Sequence, residues 1–379
     1  MPAVHTIQGS YIFADDEPFR LEGGGTLQPV AVRFVVYGEP NEARDNVVLV
    51  CHALSGSARV TDWWPELVGE GRVLDPEHDC IVCTNVLGSC YGSTGPQSVD
   101  QRTGAAYNAT FPVVSVRDIV RAQARLLDWL GIARLRAVIG GSIGGMQALQ
   151  WAVDYPDRVR DAIAIGVAPL SAMGLALNHL QRQAISNDPK FDSGDYSETD
   201  PPLQGLALAR AIAMCSYKSA HLFTQRFHRN PNRNGEDPFT GVLNRYDVAG
   251  YLDHQGDKFV RRFDANSYVA ITKSMDNFDL ARGYTSETEA LARIHGRVSL
   301  IGISSDWLFP PEDIKALTQR MKSSGVDAHY YELQSDHGHD GFLADFHLLA
   351  PILERVIKER VLPGWIPSVK SCPQQKPAS

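Results

Sequence analysis

Apolar residues in the first half of this chain fall alternately into short solid runs and into longer stretches with helical spacing. Residues 30–37 and 46–51 open the series, and residues 79–86 repeat it. Runs that are apolar at consecutive positions suit strands covered on both faces, because successive side chains of a strand point to opposite sides. Over residues 113–130, Val116, Ile119, Val120, Leu127 and Leu130 recur near the helical period, which predicts a helix with one buried stripe, closed by Gly131. A strand over 135–139, a glycine-rich turn, a helix over 146–153 stopped by Tyr155-Pro156, and a strand over 161–166 follow. The order strand, helix, strand, helix, strand predicts an α/β chain with a mostly parallel sheet flanked by helices.

From residue 171 the alternation lapses into helix-leaning segments separated by polar stretches such as Asn187-Asp188-Pro189-Lys190. It resumes with strands over 297–303 and 328–333 and a closing helix over 342–360. The expected organisation is a discontinuous core, residues 1–170 and 297–362, interrupted by a helical lid at 171–296. The tail, 363–379, is rich in Pro, Ser, Gln and Lys and is expected to be flexible.

Composition narrows the class of protein. With 379 residues, 44% hydrophobic and 21% charged, the chain can bury a large core. Its net charge of −8 gives no reason to expect a nucleic-acid partner. No run approaches the ~18 apolar residues of a membrane span, and no basic, then apolar, leader opens the chain, so no membrane association and a cytoplasmic location are expected. The six cysteines are scattered and read as reduced core residues. Cys80 and Cys83 form a C-x-x-C, yet they sit in an apolar strand with no second pair at zinc spacing, so neither a metal nor a redox role is expected.

The candidate chemistry begins at Gly140-Gly141-Ser142-Ile143-Gly144-Gly145. A strand, a Gly-x-Ser-x-Gly turn and a helix make the nucleophile elbow of the α/β-hydrolase fold, in which a strained turn lifts the serine above the sheet edge. A dinucleotide-binding loop would need G-x-G-x-x-G, which Ser142 in the third position does not fit. Serine is a weak nucleophile near neutral pH and needs a histidine base held by a carboxylate, which in this fold follow the serine in the order acid, histidine. Asp306 lies just past the strand at 297–303, and His337 and His339 lie past the strand at 328–333. Periodicity alone leaves the two histidines undecided, and Asp306 taken alone also reads as a capping carboxylate. The oxyanion is expected to meet the backbone N–H of Ile143 and one from the loop Cys51-His52-Ala53-Leu54-Ser55-Gly56, taken as Leu54. His52 precedes the serine, against the fold's order, and is expected to be structural.

Several further segments carry a resemblance. His52-Ala53-Leu54-Ser55-Gly56, Asp62-Trp63-Trp64, Asn85-Val86-Leu87-Gly88, Cys90-Tyr91-Gly92-Ser93-Thr94-Gly95-Pro96, Gly205 to Arg210 and Ser274 to Leu280 together make the chain resemble the homoserine O-acyltransferases of methionine biosynthesis, over about residues 26–359. The resemblance implies that Asp306 is the acid and that Gly338-His339-Asp340-Gly341-Phe342-Leu343 carries the base, which selects His339. It also implies substrate contacts by Arg210 and Asp340: a guanidinium suits an α-carboxylate and a carboxylate suits an ammonium. Without it, Arg210 would read as a surface arginine and Asp340 as a helix cap. Succinyl-transferring members tend to carry arginine two residues after the acid. Here that position is Leu308, so acetyl-CoA is the expected donor. The resemblance further implies L-homoserine as acceptor, no bound cofactor, and a homodimer formed through the lid. The rival readings are a succinyl donor, a serine acceptor and an esterase of the same fold. Two positions depart from the pattern: Ser335-Asp336-His337 stands where many members have Ser-Pro-Tyr, and Ile143 where methionine is frequent.

Overall fold

A computed structural model of the chain describes residues 5–358; the tail expected at 363–379, and the end of the closing helix, lie outside the described residues. Eight strands form the main sheet: β1 (Thr6–Phe13), β2 (Val30–Tyr37), β3 (Val47–Cys51), β4 (Cys80–Thr84), β5 (Leu135–Gly141), β6 (Val159–Ile165), β7 (Arg297–Ile303) and β8 (Ala328–Leu333). Their spatial order is β1-β2-β4-β3-β5-β6-β7-β8. Only β2 runs against its neighbours β1 and β4, and the other pairs are parallel.

Alternation along each strand divides the core into two layers. Val47, Leu49 and Cys51 of β3 join one layer with Val120 and Leu127 of helix α1 (Val116–Trp129) and Met146 and Leu149 of α2 (Ile143–Asp154). Val48 and Val50 join the opposite layer with Trp64 and Leu67, and with Leu349 and Leu353 of the last described helix (Phe346–Lys358). Cys80 and Cys83, three residues apart on β4, fall into different layers and cannot converge on one ion. Burial pushes the Cys80 thiol up to about 12 and Cys83 well above its ordinary value, so both pack as neutral apolar groups.

Between β6 and β7 the chain leaves the sheet and builds α3 (Ala172–Ser186), α4 (Leu203–Tyr217), α5 (Ala220–Phe227), α6 (Asp247–Val260) and α7 (Ala265–Asp276). Its helices are joined by buried polar bonds: Tyr268 Oη donates to Gln181 Oε1 at 2.6 Å and Asn178 Nδ2 to Asp276 Oδ1 at 2.8 Å. Ser274 Oγ donates to Val114 O at 2.5 Å and ties α7 to the core.

Three local differences from the sequence expectations have physical causes. The N-terminal strand β1 was not anticipated, because it is an edge strand in which only Phe13 is buried. Helix α2 starts at Ile143, three residues earlier than the apolar period indicates, since Gly144 and Gly145 belong to the helix. The closing helix is broken: a turn over Gly341–Ala344 ends at Asp345 before Phe346–Lys358 begins. Among the described residues no helix is long and apolar enough to cross a membrane.

Candidate active site

β5 delivers the chain to Ser142, whose φ of 58° and ψ of −128° no unstrained L-residue prefers. Its N–H donates to Ile165 O at 2.9 Å, and its carbonyl accepts the N–H of Met146 at 3.0 Å. The glycines on either side are required by close approach. A Cβ at Gly140 would lie 2.6 Å from Cys51 O, and one at Gly144 only 2.1 Å from that same oxygen. At Gly141 it would meet the Phe342 ring at 2.4 Å. The elbow is therefore pressed against the end of β3, which places the loop after β3 beside the serine.

That loop is organised by His52, which is fully buried. Its Nδ1 is 2.7 Å from Ala53 O and its Nε2 accepts the N–H of Val86 at 3.2 Å. These two partners fix the neutral tautomer, and burial pulls its pKa down to about 4. His52 is a strut. Leu54, two residues on, lines the cavity described below. Ile143 is the first residue of α2, so its N–H has no acceptor within the helix and is available beside Ser142.

Asp306 follows the C-terminal end of β7. Its Oδ1 accepts the N–H groups of Leu308 and Phe309 at 2.9 and 3.0 Å, and its Oδ2 lies 2.7 Å from Nδ1 of His339. The His339 ring packs against Phe309, Phe342 and Tyr217, at centroid distances of 5.1, 5.7 and 5.7 Å. Burial alone would lower the His339 pKa, but the charge and hydrogen bond of Asp306, with a further contribution from Asp340, hold it above 6.5. Its other nitrogen, Nε2, is buried and without a hydrogen-bond partner. Ser142 and His339 both face a cavity of about 650 Å³. An unsatisfied buried base beside a strained serine is an arrangement that awaits a substrate.

His337 has a separate partner: its Nδ1 is 2.9 Å from Asp345 Oδ2, which also receives Ser335 Oγ. It is not on the cavity wall. The neighbouring histidines thus each pair with their own aspartate, and only His339 meets the cavity.

Arg210 of α4 and Asp340 line the same cavity. The Arg210 guanidinium rests 4.9 Å from the Phe259 ring and 5.7 Å from Tyr217, so aromatic faces support it. Leu308 differs from its expected placement: its side chain is buried in the core layer and does not reach the cavity wall, while its backbone N–H holds Asp306. The reason is local, since the tight turn that satisfies Asp306 Oδ1 directs Leu308 inward.

Four residues at the site were not singled out from the sequence. Tyr217 packs on His339, and Lys218 Nζ lies 2.9 Å from Asp340 Oδ2. Arg262 Nη1 donates to Ser55 O at 2.9 Å and to Tyr91 Oη at 2.7 Å, binding the loop that carries Leu54 to the helical insertion. Tyr91 lies in one of the recognised motifs, which is the one signal that could have marked it; the others meet the site only through tertiary packing. Among the described residues, no group of His, Cys, Asp and Glu side chains could hold a metal ion.

Known proteins similar to this chain identify its family and fold. The family described as the alpha/beta hydrolase fold matches residues 46–346. A homoserine O-acetyltransferase of Symbiobacterium thermophilum is 47% identical over 355 residues, covering 91% of this chain and 93% of the relative. The crystal structure of homoserine O-acetyltransferase from Bacillus anthracis superposes with a TM-score of 0.87 at 28% identity, covering 94% of this chain and 99% of that one. Esterase E22 superposes with a TM-score of 0.86 at 25% identity, over 93% of this chain and 100% of its own.

Proposed function

Because this chain belongs to the α/β-hydrolase-fold family and, within it, to the homoserine O-acetyltransferases, we propose that it moves an acetyl group from acetyl-CoA to the hydroxyl of L-homoserine through acetyl-Ser142, a step of methionine biosynthesis. The observation that carries the reading is the sharing of one cavity by Ser142 and His339 with Arg210 and Asp340. A reacting centre and a receiver for a zwitterion lie within one enclosure.

The chemistry runs in two halves. His339 Nε2 takes the hydroxyl proton of Ser142 as Oγ attacks the thioester carbonyl, and the N–H groups of Leu54 and Ile143 receive the oxyanion. The C–S bond then breaks, His339 returns the proton to the departing sulfur, and CoA leaves an ester on Ser142. Homoserine enters with its carboxylate on Arg210 and its ammonium on Asp340. His339 removes the proton from its hydroxyl, the acyl carbon is attacked again, and the proton passes to Ser142 Oγ as O-acetylhomoserine departs. Asp306 stabilises the imidazolium in both halves. Every bond and proton in this cycle is accounted for with acetyl-CoA as co-substrate and no bound cofactor.

Rapid mixing with acetyl-CoA alone tests this. Free CoA should appear in a burst equal to the enzyme concentration and be absent in Ser142→Ala; a missing burst, or one retained in the variant, overturns the covalent route. The likeness to esterase E22 keeps one second reading, hydrolysis. It would be supported by acetyl-CoA consumption that is equally fast with and without homoserine.

Homodimerisation through the insertion belongs to the same proposal, supported by the exposed apolar side chains of Met173, Leu175 and Leu180 on α3 and Leu203 and Leu208 on α4. Light scattering of the purified chain checks it. A cytoplasmic location fits a donor that is an intracellular thioester.

A further inference from the structure

The insertion reaches the catalytic base at the turn Tyr217-Lys218-Ser219, between α4 and α5. Gly338 sets the approach: at φ +66°, its ideal Cβ position lies 2.7 Å from both Tyr217 O and Ser219 N, so only a glycine lets the two backbones touch. Ser219 Oγ donates to Asp336 O, and Trp307 Nε1 donates to Lys218 O at 3.2 Å. These contacts fix the backbone of Lys218, whose ammonium then meets Asp340 Oδ2 at 2.9 Å with both side chains largely buried.

Asp340 faces the cavity, and Lys218 stands behind it, off the wall. Arg210 faces the same cavity, yet among the described residues Arg210 and Asp340 form no ion pair with each other. Opposite charges sharing an enclosure attract strongly where water is scarce. Both charges act on Tyr217, so they lie close enough to attract, and a carboxylate turned toward Arg210 would leave each group less available to the acceptor.

We propose that Lys218 is a positioning residue for acceptor recognition: by holding Oδ2 of Asp340 from behind, it keeps this carboxylate apart from Arg210 and presents Oδ1 to the ammonium of an amino-acid acceptor. The inference rests on the acyl-transfer reading above. Its consequence is selectivity, because an alcohol without an ammonium, or water, makes no use of the group that Lys218 holds ready.

The test separates the two half-reactions. In Lys218→Met the KM for homoserine should rise on the order of 10- to 100-fold, while the rate constant of the acetyl-CoA burst changes by less than about twofold. Preference for homoserine over 4-hydroxybutyrate, the same skeleton without the ammonium, should fall by a similar factor, and Lys218→Arg should recover most of it. The pair Lys218→Met and Asp340→Asn combined should be no worse than Asp340→Asn alone, since both act on one group. If the methionine variant folds poorly, Lys218→Gln carries the same expectations. An unchanged homoserine KM, equal losses in both half-reactions, or additive losses in the double variant overturns the proposal. A wild-type protein without homoserine-dependent turnover would instead overturn the functional reading itself.

Discussion

Oδ2 of Asp306 stands 2.7 Å from Nδ1 of His339, while Oδ1 of the same carboxylate is held by two backbone N–H groups. Both oxygens are therefore committed, and the carboxylate cannot rotate without losing a bond. Its acceptor character forces the proton onto Nδ1 and leaves Nε2 as the basic nitrogen. Replacement Asp306→Asn would put a donor against Nδ1 and reverse the tautomer. The acetylation rate should drop by roughly 10⁴-fold with the fold intact, as read by single-turnover CoA release and far-UV circular dichroism.

The same pair sets a pH dependence. His339 must be neutral to accept a proton, and its pKa is held above 6.5. The rate of Ser142 acetylation should therefore rise with pH through a midpoint above 6.5 and then level off. Asp340 contributes to that upward shift, so Asp340→Asn should move the midpoint down. A midpoint at or below 6.5 in the wild type would contradict the arrangement.

Sequence patterns revealed the sheet and the elbow because their requirements are local. Consecutive apolar residues at β3 and β7 announce strands covered on both faces, and Gly140 to Gly145 announces a turn where chain meets chain. β1 is faint in the sequence because its half-buried face reads Gly9, Tyr11 and Phe13 while Ile7 and Ile12 are exposed, which blurs the apolar alternation. The surroundings of Asp340 escaped for a different reason. Lys218 lies 122 positions before Asp340, and nothing in either neighbourhood encodes a contact made only when the insertion folds back onto the loop after β8. Leu308 shows the converse limit: its distance from Asp306 along the chain is legible, but the direction of its side chain is decided by the turn.

Strain at Ser142 should be measurable. Both Ser142→Ala and Ser142→Gly remove the hydroxyl, but only alanine keeps a Cβ at φ +58°. The glycine variant should be the more stable of the two by about 1 kcal/mol in chemical denaturation. Equal stability would show that the elbow is relaxed.

His52 should make the fold acid-sensitive. It stays neutral when folded down to a pKa of about 4, whereas the unfolded chain binds the proton near 6.5. Its contribution is complete above 6.5 and is lost as pH falls from there toward 4, up to roughly 3 kcal/mol. Denaturation midpoints measured across that interval should fall more steeply for the wild type than for His52→Asn.

The seam at which Cys51 O presses on Gly140 and Gly144 is made of main chain on both sides. Side chains can be exchanged around it without moving the serine relative to the loop that carries Leu54. Cavity walls contributed by the insertion, such as Arg210 and Tyr217, are held outside the sheet, where the turn after α4 rests on Gly338 in the loop after β8. The position of the serine is thus set by main chain of the sheet, while side chains that would meet the acceptor come from a separate stretch of chain. Exchanging side chains of the insertion, with that seam left intact, is therefore a route to new acyl transfers.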